Sequence, residues 1–330
     1  MSREQFIVGV DLGGTNIVVG AMPVDGSREI GMRTLPTLSG GGADSVTDRI
    51  ASMVEAVVAD IMRDTGAERD DILGVGIGSP GPLDRERGVV IVTPNLGWRD
   101  YPLRDEVSSR VSMRATLDND ANCATLGEWW CGAARGGRNV IGMTLGTGIG
   151  GGLILDGRLY HGASDAAGEI GHTSIESNGR RCKCGNDGCL EAYCSGPAIA
   201  ERAREAMESE PSPGILALVN GDMSALTAHV VYEAARQGDP VARGVVRDTA
   251  RFLGTGISNL INIFNPDTVV LAGGVTQAGE ALMDPLCAEV KRRAFKPAVE
   301  ACRIVLGQLP VSAGVVGAVA TFKQQVLGSI

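Results

Sequence analysis

Aromatic side chains are scarce in this chain. Five Phe, four Tyr and three Trp make up only 4% of its 330 residues, so any core must pack mainly through aliphatic groups. Long apolar runs are missing too. The most apolar windows, near Ser258–Phe264 and Val269–Val275, fall well short of the ~20 residues that cross a bilayer. The opening MSREQFIVGV holds no apolar segment of signal-peptide length. Nor is there an excess of basic charge. A net charge of −9 and a pI near 5.0 argue against a nucleic-acid surface, and the basic run Lys291–Lys296 (KRRAFK) reads as a solvated helix face. No G-x-x-x-x-G-K loop is present. These absences lead us to expect a cytoplasmic protein with neither membrane nor nucleic-acid partners.

Glycine, by contrast, is abundant. Its 47 residues are roughly twice the usual share of ~7%, and they fall in discrete motifs and not in low-complexity runs. That distribution points to tight turns and to backbone lying close to a ligand. The length suggests about two domains.

The densest chemistry lies in Gly168–Glu191, GEIGHTSIESNGRRCKCGNDGCLE. It carries His172, one of only three histidines, and then Cys182, Cys184 and Cys189 within eight residues. One imidazole and three thiolates are the donors of a closed tetrahedral zinc site, and closed sites are structural. Incidental clustering or a disulfide pair are the alternatives. The spacing Cys-x-Cys-x4-Cys is not the commonest for a zinc finger. Such a clamp would fix the direction of Glu169 and Glu191, two carboxylates suited to a polyhydroxy ligand. Cys194 is a fifth thiol close enough in sequence to replace His172. Cys123, Cys131, Cys287 and Cys302 are dispersed, as reduced core cysteines are.

Phe6–Val10 and Ile17–Met22 are β-rich runs joined by Asp11-Leu12-Gly13-Gly14-Thr15-Asn16. The turn joins a hairpin and does not open a helix, and its small residues let N–H groups approach phosphate oxygens. The pattern returns at Ile141–Gly157 around Gly146-Thr147-Gly148-Ile149-Gly150, and both copies end in an Asp-Gly turn (Asp25-Gly26, Asp156-Gly157). This internal repeat implies two homologous halves that hold a nucleotide between them. Ala272-Gly273-Gly274-Val275 closes a strand as a third place for nucleotide contact.

Further elements follow from periodicity and turn chemistry. Helices are expected at Asp44–Arg63, Ala121–Cys131, Gly196–Ser209, Ala225–Gln237, Pro240–Asn262, Gly279–Ala294 and Gly314–Val326. Strands are expected at Ile72–Gly78, Val89–Thr93, Ala115–Leu117, Thr268–Ala272 and Arg303–Leu306. Ser79–Asp84 is a rigid proline–glycine turn, Pro94–Trp98 another loop, and Glu208–Ser224 the best flexible segment.

Asp120 stands where a strand ends and a helix begins, the edge at which α/β proteins bind ligands. In phosphoryl transfer an aspartate so placed takes the acceptor's proton while Mg2+ and backbone donors steady the phosphoryl charge. Helix capping explains the same residue equally well. Asp11 serves near Mg2+ and the phosphates or holds its own turn. Asp118 is expected to be structural, and Glu128 to be an exposed or paired helix residue. His161 and His229 are expected at the surface or in local bonds.

Taken together these motifs resemble the ROK family of sugar kinases and repressors, and within it the bacterial glucokinases. The resemblance runs from Asp11 to the C-terminal helix. It rests most specifically on GEIGH…CxCGxxGCxE, with DLGGTN, SPGPLD, PNLGW, NDAN, GTGIGGG and LAGG in support. It implies an α/β, actin-like ATPase (ribonuclease H-like) fold of two domains around a cleft, with a zinc knuckle at 168–191. The N-terminal domain would span 1–119 with the C-terminal helix, about 314–330, packed back on it; the larger domain would span 120–313.

Carried over by position, Asp120 would deprotonate the sugar 6-hydroxyl. Gly81, Asn95, Asn119, Glu169, His172 and Glu191 would line the sugar pocket. Asp11, Gly13, Gly14, Thr15, Asn16, Thr147, Gly148, Gly273 and Gly274 would surround Mg2+-ATP. His172, Cys182, Cys184 and Cys189 would hold structural Zn2+, with one ring nitrogen of His172 left to address the sugar. The implied activity is ATP-dependent formation of glucose 6-phosphate by a homodimer or a dimer of dimers. Fructose, N-acetylglucosamine, N-acetylmannosamine or allose as acceptor, and polyphosphate as donor, are alternatives within the class. A sugar-binding module without catalysis and a repressor are alternatives outside it. A repressor needs a DNA-binding domain, for which the strand starting near Phe6 is expected to leave no room.

Overall fold

Phe6–Leu12 and Asn16–Pro23 form β1 and β2, an antiparallel pair with Leu12 opposite Ile17 across the first glycine turn. In the computed structural model, which describes residues 3–309 and 311–328, this hairpin begins a five-stranded sheet. β3 (Ile30–Pro36) continues it on one side. After helix α1 (Gly42–Thr65) the chain enters β4 (Ile72–Ser79), which lies parallel to β1. β5 (Leu83–Asp84), β6 (Val89–Thr93) and β7 (Trp98–Tyr101) make a small antiparallel sheet of their own. Helix α2 (Leu103–Val111) then leads to β8 (Ala115–Asn119), parallel to β4, and to helix α3 (Asp120–Trp130). The strand order is β3-β2-β1-β4-β8.

β9 (Val140–Leu145) and β10 (Ile149–Leu155) bracket the second glycine turn. β11 (Arg158–Leu159) folds back on β10 through Asp156-Gly157. Both turn residues have positive φ, as a two-residue type I′ hairpin loop requires. Then come α4 (Glu191–Cys194), α5 (Gly196–Ser209), α6 (Pro213–Leu218), α7 (Ala228–Arg236) and α8 (Pro240–Phe264). The chain closes with β12 (Thr268–Ala272), α9 (Glu280–Arg293), α10 (Lys296–Ala301), β13 (Arg303–Leu306) and α11 (Ala313–Phe322). β12 runs parallel to both β9 and β13. The order β10-β9-β12-β13 repeats β2-β1-β4-β8, which is the structural form of the repeat read from the two glycine turns.

By internal packing the chain divides into two units. Residues up to Gly137, Gly152–Gly168 and those from Gly307 onward form the first; Arg138–Gly151 and Glu169–Leu306 form the second. In the first unit β1 is buried on both faces, which is why FIVGV is apolar without alternation. Phe6, Val8 and Val10 pack with Ile50, Val54, Val57 and Ile61 of α1. Ile7 packs with Val316, Val319 and Phe322 of α11. A Cβ on Gly9 or Gly76 would run into the carbonyls of Val315 and Ala318, so these strand glycines let α11 approach the sheet backbone. In the second unit α8 is started by Asp239, whose carboxylate accepts from Ala242 N, with Pro240 in the first turn.

Three sequence expectations change here. The segment Glu208–Ser224 is not a plain loop: it contains α6, because Ser212 caps Ile215 N, Pro213 suits a first helical turn and Ile215 is fully buried. The C-terminal helix ends at Phe322 and passes into a π-helical turn, Lys323–Leu327; Ser329 and Ile330 of the expected 314–330 helix lie outside the described residues, as do Met1 and Ser2 of the opening segment. Of the four dispersed cysteines only Cys123 is buried; Cys131, Cys287 and Cys302 are partly open, and none is disulfide-bonded.

Candidate active site

In the first unit the end of β8 carries Asp118 and Asn119, and α3 starts at Asp120. Asn119 is the residue that caps α3: its Oδ1 accepts from Ala121 N (2.9 Å) and Asn122 N (3.2 Å). Asp120 is the first helical residue, and its carboxylate also accepts from Ala121 N at 2.8 Å. Capping therefore belongs to Asn119, and Asp120 is not required for it. Gly81 lies near Asn119, since a Cβ there would sit 3.6 Å from Nδ2. Asn95 lies against Gly14, whose Cβ would meet that of Asn95 at 3.4 Å. The structure thus brings Gly14 to Asn95 and Gly81 to Asn119 within one unit.

The first glycine turn is tight, with Gly13 N donating to Asn16 O at 2.9 Å. Thr37, fully buried beyond β3, braces it from behind, through its hydroxyl to Gly13 O (2.7 Å) and its N–H to Thr15 O (2.8 Å). Gly14, Thr15 and Asn16 remain exposed. Asp11, at the end of β1, lies against Gly314 of α11. It retains some open surface, yet burial, with the charge of Asp120 beside it, raises its carboxyl to about 7. A carboxyl perturbed by burial and a like charge is a common mark of a functional site.

In the second unit the donor atoms of His172, Cys182, Cys184 and Cys189 all lie within 4.8 Å of one another. Cys182 Sγ is 3.8 Å from His172 Nδ1, and Cys184 Sγ is 3.7 Å from Cys189 Sγ. Donors 2.0–2.3 Å from a tetrahedral centre stand about 3.5–3.8 Å apart, so this set fits a zinc ion. A disulfide would bring two sulfurs to about 2.05 Å, and none is formed. Burial pushes the Cys182 thiol up and that of Cys189 to about 12, while the Asn186 N–H lowers Cys184, so loading a metal must release protons. Cys194 stays out of the cluster; it is buried, with its thiol directed at Thr249 O. The imidazole has two sides: Nδ1 faces the thiols and Nε2 lies 3.9 Å from Glu169.

Glu191 opens α4 directly after the cluster, and its Oε2 accepts from Ile149 N at 2.8 Å, beside Gly148. It is thereby tied to the second glycine turn, which is closed by Gly146 N to Gly148 O and anchored by Gly196 N to Gly146 O. Thr147 and Gly274 line a cavity of ≈ 710 Å³ with Gly146, Gly196, Pro197, Val275, His229 and Gln277. Gly273 precedes it at φ +97, where a Cβ would run into the Leu145 backbone. A cavity of this size admits a nucleoside.

Sequence reasoning missed several of these groups. Thr37, Pro197 and Gln277 carry no motif. His229 is exposed, as expected, but also lines the cavity, which no motif indicates. His161 is not locally bonded: Nε2 lies 2.9 Å from Asp118 Oδ2, across 43 residues of chain. Glu128 is neither exposed nor paired with a cation; it is 1% exposed and accepts backbone N–H groups from Ala133, Gln308 and Leu309. Two of its partners, Gln308 and Leu309, are remote in sequence, and no local pattern marks them.

Residues 7–325 match the ROK family. The chain is 37% identical to the glucokinase of Thermotoga maritima over 323 residues, covering 98% of each protein. It is 36% identical to that of Halalkalibacterium halodurans, covering 98% of this chain and 96% of the relative. Among solved structures, that of a ROK family glucokinase from Streptomyces griseus in complex with glucose and AMPPNP superposes with a TM-score of 0.81 at 35% identity, covering 96% of this chain and 98% of the other.

Proposed function

The chain belongs to the ROK family, and from that premise we propose that it is a glucokinase, transferring the γ-phosphoryl group of ATP to the 6-hydroxyl of glucose. The observation that carries the reading is the division of labour at the β8–α3 junction. Asn119 takes the capping role, and the carboxylate of Asp120 stands at the C-terminal end of a parallel strand, the edge at which α/β proteins bind ligands. In this reading Asp120 accepts the 6-hydroxyl proton as that oxygen bonds to the γ-phosphorus and the bond to ADP breaks. Mg2+ bound with ATP would neutralise charge at the phosphoryl oxygens, and Asp11 is the carboxylate that would hold it in this reading.

The remaining roles follow from the donors and acceptors on hand. With Oδ1 of Asn119 engaged in the cap, its Nδ2 is the group to donate to a sugar hydroxyl, alongside Asn95 and the backbone at Gly81. Glu169, His172 through Nε2, and Glu191 accept from or donate to further hydroxyls. Gly13, Gly14, Thr15 and Asn16, with Thr147, Gly148, Gly273 and Gly274, present backbone to the nucleotide. His172, Cys182, Cys184 and Cys189 are the ligands of a structural Zn2+. No helix among the described residues is long and apolar enough to cross a membrane, and the free thiols suit a reducing, ATP-rich compartment, so we place the enzyme in the cytoplasm.

A panel of hexoses assayed with ATP and with polyphosphate tests the reading. Glucose with ATP should give the highest kcat/KM, with glucose 6-phosphate as product. Consumption of neither donor with any hexose would leave a binding module, and preference for another sugar or for polyphosphate would replace the proposed substrate pair.

A further inference from the structure

Asp118 is 1% exposed, and a buried carboxylate must be compensated on every side. Its Oδ1 accepts from Asn119 N (2.8 Å) and from Asn122 Nδ2 (3.1 Å). Its Oδ2 meets His161 Nε2 at 2.9 Å. Arg85 Nε stands 3.1 Å from the same oxygen, close enough for charge pairing though not aligned as a hydrogen bond. Arg85 is held in turn by Asp165, through Nη1 to Oδ1 and backbone N to Oδ2, both 3.1 Å. Asp165 accepts this place at a positive φ of 56°, an uncommon conformation for a residue with a side chain. Three segments of the first unit therefore converge on one buried carboxylate: the loop after β5, the end of β8, and the stretch after β11.

We infer that Asp118, gripped by Arg85 and His161, is the positioning residue that sets the direction of Asn119 and Asp120 for phosphoryl transfer. One oxygen orients the two residues at the site through the Asn119 N–H and the Asn122 amide; the other is pinned by two cationic or N–H donors from outside the strand. Asp118 itself does not touch the reacting atoms. Loosening the grip shifts Asp120 relative to the sugar hydroxyl, and misplacement by about 1 Å costs on the order of a hundredfold in rate. The inference rests on the proposed role of Asp120 as base.

The test compares His161→Ala, His161→Gln and Arg85→Ala with Asp120→Asn, measuring kcat, glucose affinity by calorimetry, and Tm. We expect His161→Ala and Arg85→Ala to lower kcat on the order of a hundredfold with glucose affinity changed far less. His161→Gln, which keeps an N–H donor for Asp118, should recover much of that loss. A fold-stabilising role alone would lower Tm without this split between kcat and affinity and without rescue by Gln. If His161→Ala and Arg85→Ala turn over like the parent while Asp120→Asn is inactive, the positioning role is wrong and the base assignment stands. If Asp120→Asn is itself active, the base assignment fails first.

Discussion

Glu191 accepts a hydrogen bond from the backbone of Ile149, so a residue two positions beyond Cys189 holds the glycine turn that faces the ≈ 710 Å³ cavity. A change in the cluster should therefore be felt at the nucleotide as well as at the sugar. Replacing Cys184 by Ser is expected to lower zinc affinity at least tenfold to a hundredfold, since even outer-shell changes cost that much. KM should rise for both glucose and ATP. Zinc content by elemental analysis and KM for both substrates check this; full zinc with unchanged KM would disprove it.

Asp11 supplies a pH test. Its carboxyl is raised by folding from the usual 3.8 to about 7. Between these values the unfolded chain has lost the proton that the folded chain retains, so stability falls as pH rises through this window and levels off above about 7. Removing the group removes that slope. In the absence of Mg2+ and nucleotide, Asp11→Asn should gain Tm relative to the parent between pH 4 and 7, with the gain constant beyond, while activity with ATP is lost. A Tm difference independent of pH would contradict the assignment.

Gly317 lies on α11 where a Cβ would collide with the backbone of Cys123 on α3. Neither helix can yield without disturbing the sheet beneath, so Gly317→Ala should cost about 1–3 kcal/mol or more of stability. Urea unfolding measures it. A midpoint unchanged from the parent would mean that the two helices are not packed as described.

Glu128 offers a second stability test. Its carboxylate, only 1% exposed, accepts from three backbone N–H groups. Glu128→Ala should leave them unsatisfied and cost at least about 1–3 kcal/mol, read as a lower Tm without a change in KM for glucose.

The parts legible in the sequence were those governed by local chemistry. β-branched runs around glycine turns gave both hairpins, because strand propensity and turn geometry are decided within a dozen residues. Three cysteines and a histidine gave the donor cluster because the knuckle draws most of its ligands from one short segment. The grip of His161 and Arg85 on Asp118, and the burial of Glu128 against Gln308 and Leu309, depend on partners far apart in the chain. Residue type alone could not reveal them. Asp120 sat between the two cases: its place at a strand–helix junction was readable, but only the structure shows that Asn119 does the capping.

The most direct test is Asp120→Asn, with kcat measured at saturating glucose and ATP and glucose affinity measured by calorimetry. We predict a fall in kcat of about 10²–10⁴-fold with glucose affinity largely kept. Turnover close to that of the parent would contradict the account at its centre.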